Sequence, residues 1–265
     1  MTTQEPKDLV TRQCQTIEDF NACVNLQREA FGLPDIEISP RRHLIVTACA
    51  GGWTLGAFAG ARLVGFVHHL AALREGQIAG YSHMMAVAKD AQNLGVGARL
   101  KWAQRARALS EGVRFIKWTW DPLQARNAHF NLNRLGVLVR SYAANFYGTD
   151  YLPQAGYGAA PLGLDSDRLF GEWQLDAPRV AALSAGQSRE IAAAPVATIV
   201  IPANWPALVA RDPVAARQEQ LRVRDEFRQA FAQGLVCAGF QRDETRPRYL
   251  LFQPQDCENA GAMVL

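Results

Sequence analysis

The stretch GYSHMMAVAKDAQNLGVGARLKWAQRARALSEG, residues 80–112, decides how the chain is read. Residues 80–90 read as a β-strand. QNLGVG, residues 92–97, reads as a glycine-rich turn opening a helix that stops at Gly112. A turn of this kind leaves several backbone N–H groups unpaired and pointing one way, with the helix dipole behind them. That arrangement is an anion site suited to a pyrophosphate. Gly95 and Gly97 allow phosphates to come close to the backbone.

Three phosphate-loop patterns compete for this bend. A Walker loop needs GK[ST], which is absent. A dinucleotide fingerprint needs GxGxxG, but Gly95 and Gly97 are followed by Leu100, and the preceding strand is not the first of the chain. The pattern [QR]xxGx[GA] is met at all three positions, by Gln92, Gly95 and Gly97.

Working outward, helical spacing of Ile17, Phe20, Cys23, Val24, Ala30 and Phe31 predicts a helix over 12–31, and a second short helix follows at 41–51. Alternation around a GAR turn predicts a hairpin at 53–60 and 62–73, with 80–90 as the third strand of the same sheet. After Gly112, VRFIKWTW is a strand at 113–120. Asp121-Pro122 then starts a helix running to Leu135 and ending at Gly136. Ala125, Ala128, Leu132 and Leu135 form its apolar face, while Asn127, Asn131 and Arg134 form a polar one.

In this order of elements the chain resembles the GNAT superfamily of acyl-CoA N-acyltransferases over about residues 12–150. The run WTWDPLQARNAHFNLNRLG, residues 118–136, is similar to a branch of that family with a C-terminal extension. The resemblance implies an α/β fold: a GNAT-like mixed central sheet flanked by helices, with a smaller C-terminal α+β extension. The expected division is 1–160 for the acyl-CoA-binding domain and 161–265 for the extension. It also implies acetyl-CoA or another acyl-CoA as co-substrate. The pyrophosphate would lie on Gln92, Asn93, Leu94, Gly95, Val96, Gly97 and Ala98, and the pantetheine amides on the main chain of Met85, Ala86 and Val87. Asn127 and Asn131 are further candidates for cofactor contact.

The chemistry expected is direct transfer to an amine, which must be neutral to attack and therefore calls for a base. Strand alternation puts Tyr81, His83, Met85 and Val87 on one face, with His83 upstream of the pantetheine contact. An imidazole titrates near neutrality, so His83 is the candidate base. Many family members carry a tyrosine as thiolate acid four residues before the glycine ending the following helix. Here that position is Leu132, a departure that leaves Tyr142, Tyr147 or solvent for the role. Phe31, Trp53, Tyr81, Trp120 and Arg126 are the candidate acceptor-pocket residues: aromatics for packing, arginine for a carboxylate. No metal is expected. His68 and His69 are adjacent on a strand and face opposite sides, and with His43 and His129 they show no ligand spacing.

Composition narrows the alternatives. With 28 Lys and Arg against 25 Asp and Glu, the net charge of +3 is too balanced for a nucleic-acid binder driven by bulk electrostatics. No apolar window is long enough for a membrane span, and five scattered cysteines fit neither a disulfide framework nor a zinc site. A cytoplasmic enzyme acting on a small-molecule amine, an amino acid being one candidate, is the first expectation, with a homodimer compatible. The rival is a CoA-binding sensor or complex subunit without catalysis. Beyond residue 160 the sequence predicts strands at 168–176, 188–193 and 196–201, a helix over 213–233 and a final hairpin, but no catalytic motif.

Overall fold

The computed structural model describes residues 9–149 and 164–258. They form an α/β fold with a mixed sheet flanked by helices. The chain divides into two compact units, Met1–Ile116 and Lys117–Leu265. The boundary expected near residue 160 falls outside the described residues.

In the N-terminal unit β1 (Leu9–Gln13), β2 (Trp53–Ala59), β3 (Arg62–Arg74) and β4 (Gln77–Val87) form an antiparallel meander in sequence order. Helix α1 (Ile17–Phe31) starts later than its apolar spacing predicts. Thr16 accepts from the Asp19 amide while Asp19 accepts from the Thr16 amide, a capping box that fixes the start. Asp19 also takes two hydrogen bonds from Arg12 of β1, so strand and helix start are pinned together. This pairing holds the Asp19 carboxyl below the usual carboxylate range. Helix α2 (Arg41–Cys49) and helix α3 (Val96–Ser110) complete the unit. Helix α3 docks where β3 has no side chain: a Cβ on Gly65 would lie 2.9 Å from Val96 Cγ1 and 3.1 Å from Leu100 Cδ1. Strand β5 (Phe115–Trp120) carries the division between the units.

The C-terminal unit holds α4 (Ala125–His129), β6 (Leu138–Ala143), β7 (Arg168–Gln174), α5 (Pro178–Ser184), β8 (Ala197–Val200), α6 (Trp205–Arg211), α7 (Pro213–Ala232), β9 (Val236–Gln241), β10 (Arg248–Phe252) and α8 (Pro254–Glu258). Its strands run in the order β5-β7-β6-β9-β10-β8. The final hairpin therefore joins a larger sheet, through Val139 opposite Cys237. Leu138, Val236, Ala238, Phe252 and Cys257 form a buried cluster beneath it.

Two expectations are corrected here, and two helices are added. The stretch 188–193 is not a strand but coil after α5. The seven-residue helices α5 and α6 were too short for periodicity to reveal, although Pro178, and the Asn204 side chain accepting from the Ala207 amide, set their starts. The helix after Asp121 begins only at Ala125, because Asp121 closes a turn by accepting from the Leu123 amide. It passes into a π-helical segment, Phe130–Arg134. That wider turn breaks the i, i+4, i+7 face: Asn131 is buried, whereas Asn127 and Arg134 are exposed.

Candidate functional site

The bend after β4 is built from local bonds. The Ala88 amide donates to Val64 O at 2.9 Å, fastening the strand end to β3. A 3₁₀ turn at Lys89–Ala91 follows, and Gln92 Nε2 reaches back to Val87 O at 3.2 Å. Asn93 and Gly95 then take positive φ, 64° and 80°. For Gly95 this is free of steric cost, and asparagine is among the few side chains that tolerate it. The first intrahelical bond of α3 runs from the Arg99 amide to Gly95 O at 3.0 Å. The amides of Val96, Gly97 and Ala98 therefore have no intrahelical acceptor. The Val96 side chain is buried, so that residue can offer a ligand only its main chain. A Cβ on Gly97 would meet Met85 Cε at 3.5 Å, an ordinary contact. The protein's own packing thus does not require glycine there.

A β-bulge interrupts β4 upstream of this bend. His68 pairs with Met84 and His69 with Ser82, which leaves His83 as the extra residue. The alternation expected from the sequence breaks at this point. Met85 and Val87 lie beside Gly97 of α3, while His83 turns to the opposite face, toward α2.

There it meets two other imidazoles, His43 of α2 and His68 of β3. The ring centroids are 5.5, 5.7 and 5.9 Å apart, with interplanar angles of 64°, 66° and 66°. His68 is fully buried, and its Nδ1 is 2.8 Å from Thr54 Oγ1. Burial, then the positive character of its neighbours, pushes His68 down to about 3. Desolvation and then His43 hold His83 below the usual imidazole value. No spacing in the sequence joins these three residues. The fold does, through a helix and two neighbouring strands.

His69 does face the other way, as strand geometry requires. It stacks on Trp53 at 4.1 Å and 8°, close over Gly80, where a Cβ would lie 2.1 Å from its Cε1. Gln104 Nε2 is 3.3 Å from His69 Nδ1. Lys101 Nζ donates to Gln104 Oε1 at 2.6 Å and to Ser82 Oγ at 3.2 Å. Burial pushes the Lys101 amine well down and His69 to about 4. Trp53 is a buried part of this network, its indole donating to Glu111 Oε2 at 2.8 Å. That is a framework role and not the pocket wall expected from sequence. Phe31, at the end of α1, and Tyr81, on β4, are half-buried.

In the C-terminal unit Tyr142 donates to Asp167 Oδ2 at 2.6 Å, and Arg224 donates to both oxygens of the same carboxylate. Burial and then the Asp167 hydrogen bond push the Tyr142 phenol up, and its hydroxyl is engaged by that carboxylate. Trp120 is buried over Gly171, where a Cβ would lie 2.6 Å from its Cζ3. It too is framework. Arg126, Asn127 and Tyr147 are exposed, and Tyr147 Oη is 3.4 Å from Thr119 Oγ1.

No protein-family model matches the sequence, and no curated protein is similar to it at a significant level. Solved structures are similar in fold. A GNAT-family acetyltransferase structure from Desulfovibrio desulfuricans matches with TM-score 0.51 and 16% identity, over 63% of this chain and 99% of that one. The ribosomal-protein-S18-alanine N-acetyltransferase of Escherichia coli matches with TM-score 0.50 and 14% identity, over 63% and 94%. An N-acetyltransferase of Staphylococcus aureus matches with TM-score 0.50 and 13% identity, over 64% and 100%. The chain therefore has the GNAT superfamily fold. Among the described residues no helix is long and apolar enough to cross a membrane.

Proposed function

We propose that the chain binds an acyl-CoA at the bend Gln92–Ala98 and transfers its acetyl or other short acyl group directly to an amine of a small molecule. One observation carries this reading: on a GNAT fold, β4 ends in a bend with two left-handed residues, and three first-turn amides of α3 stand beyond it without intrahelical acceptors. Together with the helix dipole they suit a diphosphate. The main chain of Met85, Ala86 and Val87 leads back along β4 from that point.

His83 is the proposed general base. It lies on β4 upstream of the bend, is exposed, and carries an imidazole that desolvation and the neighbouring His43 hold below its usual pKa. It takes the proton of the amine as the nitrogen attacks the thioester carbon. The C–S bond breaks, and the thiolate takes a proton from solvent. An amino acid is one candidate acceptor.

A second reading, CoA binding without turnover, is favoured by Leu132, buried where the family's acid tyrosine is expected, and by the engagement of Tyr142 with Asp167. Thermal shift with CoA and acetyl-CoA, followed by thiol release over an amine panel, separates the readings. His83→Gln should lower kcat by about 10²–10⁴-fold and leave CoA affinity unchanged. Equal turnover in the variant removes the base role. Binding without turnover in the wild type selects the second reading, and absence of CoA binding overturns both.

A further inference from the structure

We infer that His43, His68 and His83 form a site for one borderline divalent transition ion, Zn²⁺ above all. One nitrogen from each residue lies within 4.8 Å of the others. The three ring centroids lie 5.5–5.9 Å apart, and the rings are mutually inclined by 64–66°. A tetrahedral zinc, with Zn–N of about 2.0–2.1 Å, sets its ligand nitrogens about 3.4 Å apart. The remaining closure falls to His43 and His83, which reach toward the surface while His68 is held in the sheet.

The observation that separates this site from a plain imidazole cluster lies on His68. Its Nε2 is buried and has no hydrogen-bond partner among the described residues. Its Nδ1 is 2.8 Å from Thr54 Oγ1. In the tautomer with its proton on Nδ1 and donated to Thr54, Nε2 presents a lone pair that no described protein donor meets. Metal-bound histidines are held in this way, the far nitrogen donating to an oxygen that fixes tautomer and ring plane. The bulge at His83 supplies the third donor by turning it onto the face of His68 and α2. Three imidazoles without a thiolate or carboxylate suit zinc, nickel or copper, and not magnesium or calcium. A three-histidine set leaves a fourth position for water or another ligand.

This site stands apart from the acyl-transfer reading, since it needs no CoA. The two meet only at His83: a nitrogen that holds an ion cannot take a proton. Loading with zinc should therefore suppress any turnover that depends on His83.

The test uses the full chain without a polyhistidine tag, stripped with a chelator and dialysed. Titration with Co²⁺ should give the intense visible bands of a tetrahedral nitrogen site, saturating at one ion per chain, and Zn²⁺ should displace it. His43→Ala and His83→Ala, both near the surface, should each weaken binding by more than about tenfold, and Thr54→Val by about 10–100-fold. His129→Ala should bind as the wild type does. Circular dichroism checks that each variant is folded. No saturable binding by the wild type, or binding that survives both His43→Ala and His83→Ala, overturns the proposal. Neither result touches CoA binding, which is read separately by thermal shift.

Discussion

The segment Ala125–Arg134 and the end of β4 both place backbone and side-chain polar atoms at the margin of a core, and they treat them in opposite ways. Around the first, protein donors and acceptors answer one another. Arg179 donates to Leu132 O at 3.1 Å and to Ala238 O at 3.0 Å, Trp173 donates to Leu135 O at 2.8 Å, and Asn133 Oδ1 accepts from the Phe240 amide at 2.9 Å. Around the second, the first-turn amides of α3 lack intrahelical acceptors, and His68 Nε2 has no partner among the described residues. Buried polar atoms are normally satisfied, so an exception asks for a reason. The contrast teaches which region is scaffold and which is built to receive something.

The largest effect is expected from breaking the scaffold side. Arg179 is buried, with its charge held among main-chain carbonyls, and burial pushes its pKa below the ordinary arginine value. Arg179→Met keeps the length of the stem but removes donors to Leu132 O, Ala238 O and Arg189 O. Leaving such carbonyls unanswered should cost about 3 kcal/mol, even after relief of the buried charge. Urea denaturation measures it. A variant as stable as the wild type would show that these carbonyls do not need the guanidinium, and the contrast would lose its first half.

The same contrast explains what was legible in the sequence. Gln92, Gly95 and Gly97 announce the bend because its needs are local: a positive φ, a side chain folded back, a helix start. The β2–β3 hairpin was legible from its GAR turn, and α3 from the glycine bend that opens it and the Gly112 that follows its end. The histidine triad was not. A bulge leaves no local signature in MMAV or YSH, yet it decides which face His83 takes, and His43 arrives from a separate helix. Tyr142 stood as a candidate acid because its partner Asp167, itself bonded by Arg224, is distant in the chain. Trp53 read as a pocket wall for the same reason, its partners being His69 and Glu111.

A middling effect is expected at Gly95, which belongs to both sides of the comparison: its conformation is structural, and the bend it makes is for binding. Alanine at φ 80° should cost roughly 1–2 kcal/mol of unfolding free energy. Asparagine, which tolerates that region better, should cost less than alanine. If alanine proves neutral, the left-handed turn is not under the constraint assigned to it.

The smallest effect on stability is expected at Gly97, and it is the most discriminating. A Cβ there meets nothing nearer than Met85 Cε at 3.5 Å, with Val87 Cγ2 at 3.9 Å, so Gly97→Ala should leave unfolding free energy within about 0.5 kcal/mol of the wild type. The same methyl group would stand beside an amide proposed to face a diphosphate. CoA affinity should then fall by about tenfold, equivalent to roughly 1.4 kcal/mol, measured by calorimetry. The two readouts must separate. A loss of stability equal to the loss of affinity would make the glycine a packing residue like Gly65. Unchanged affinity would mean that no phosphate approaches this amide, and the bend would join the scaffold.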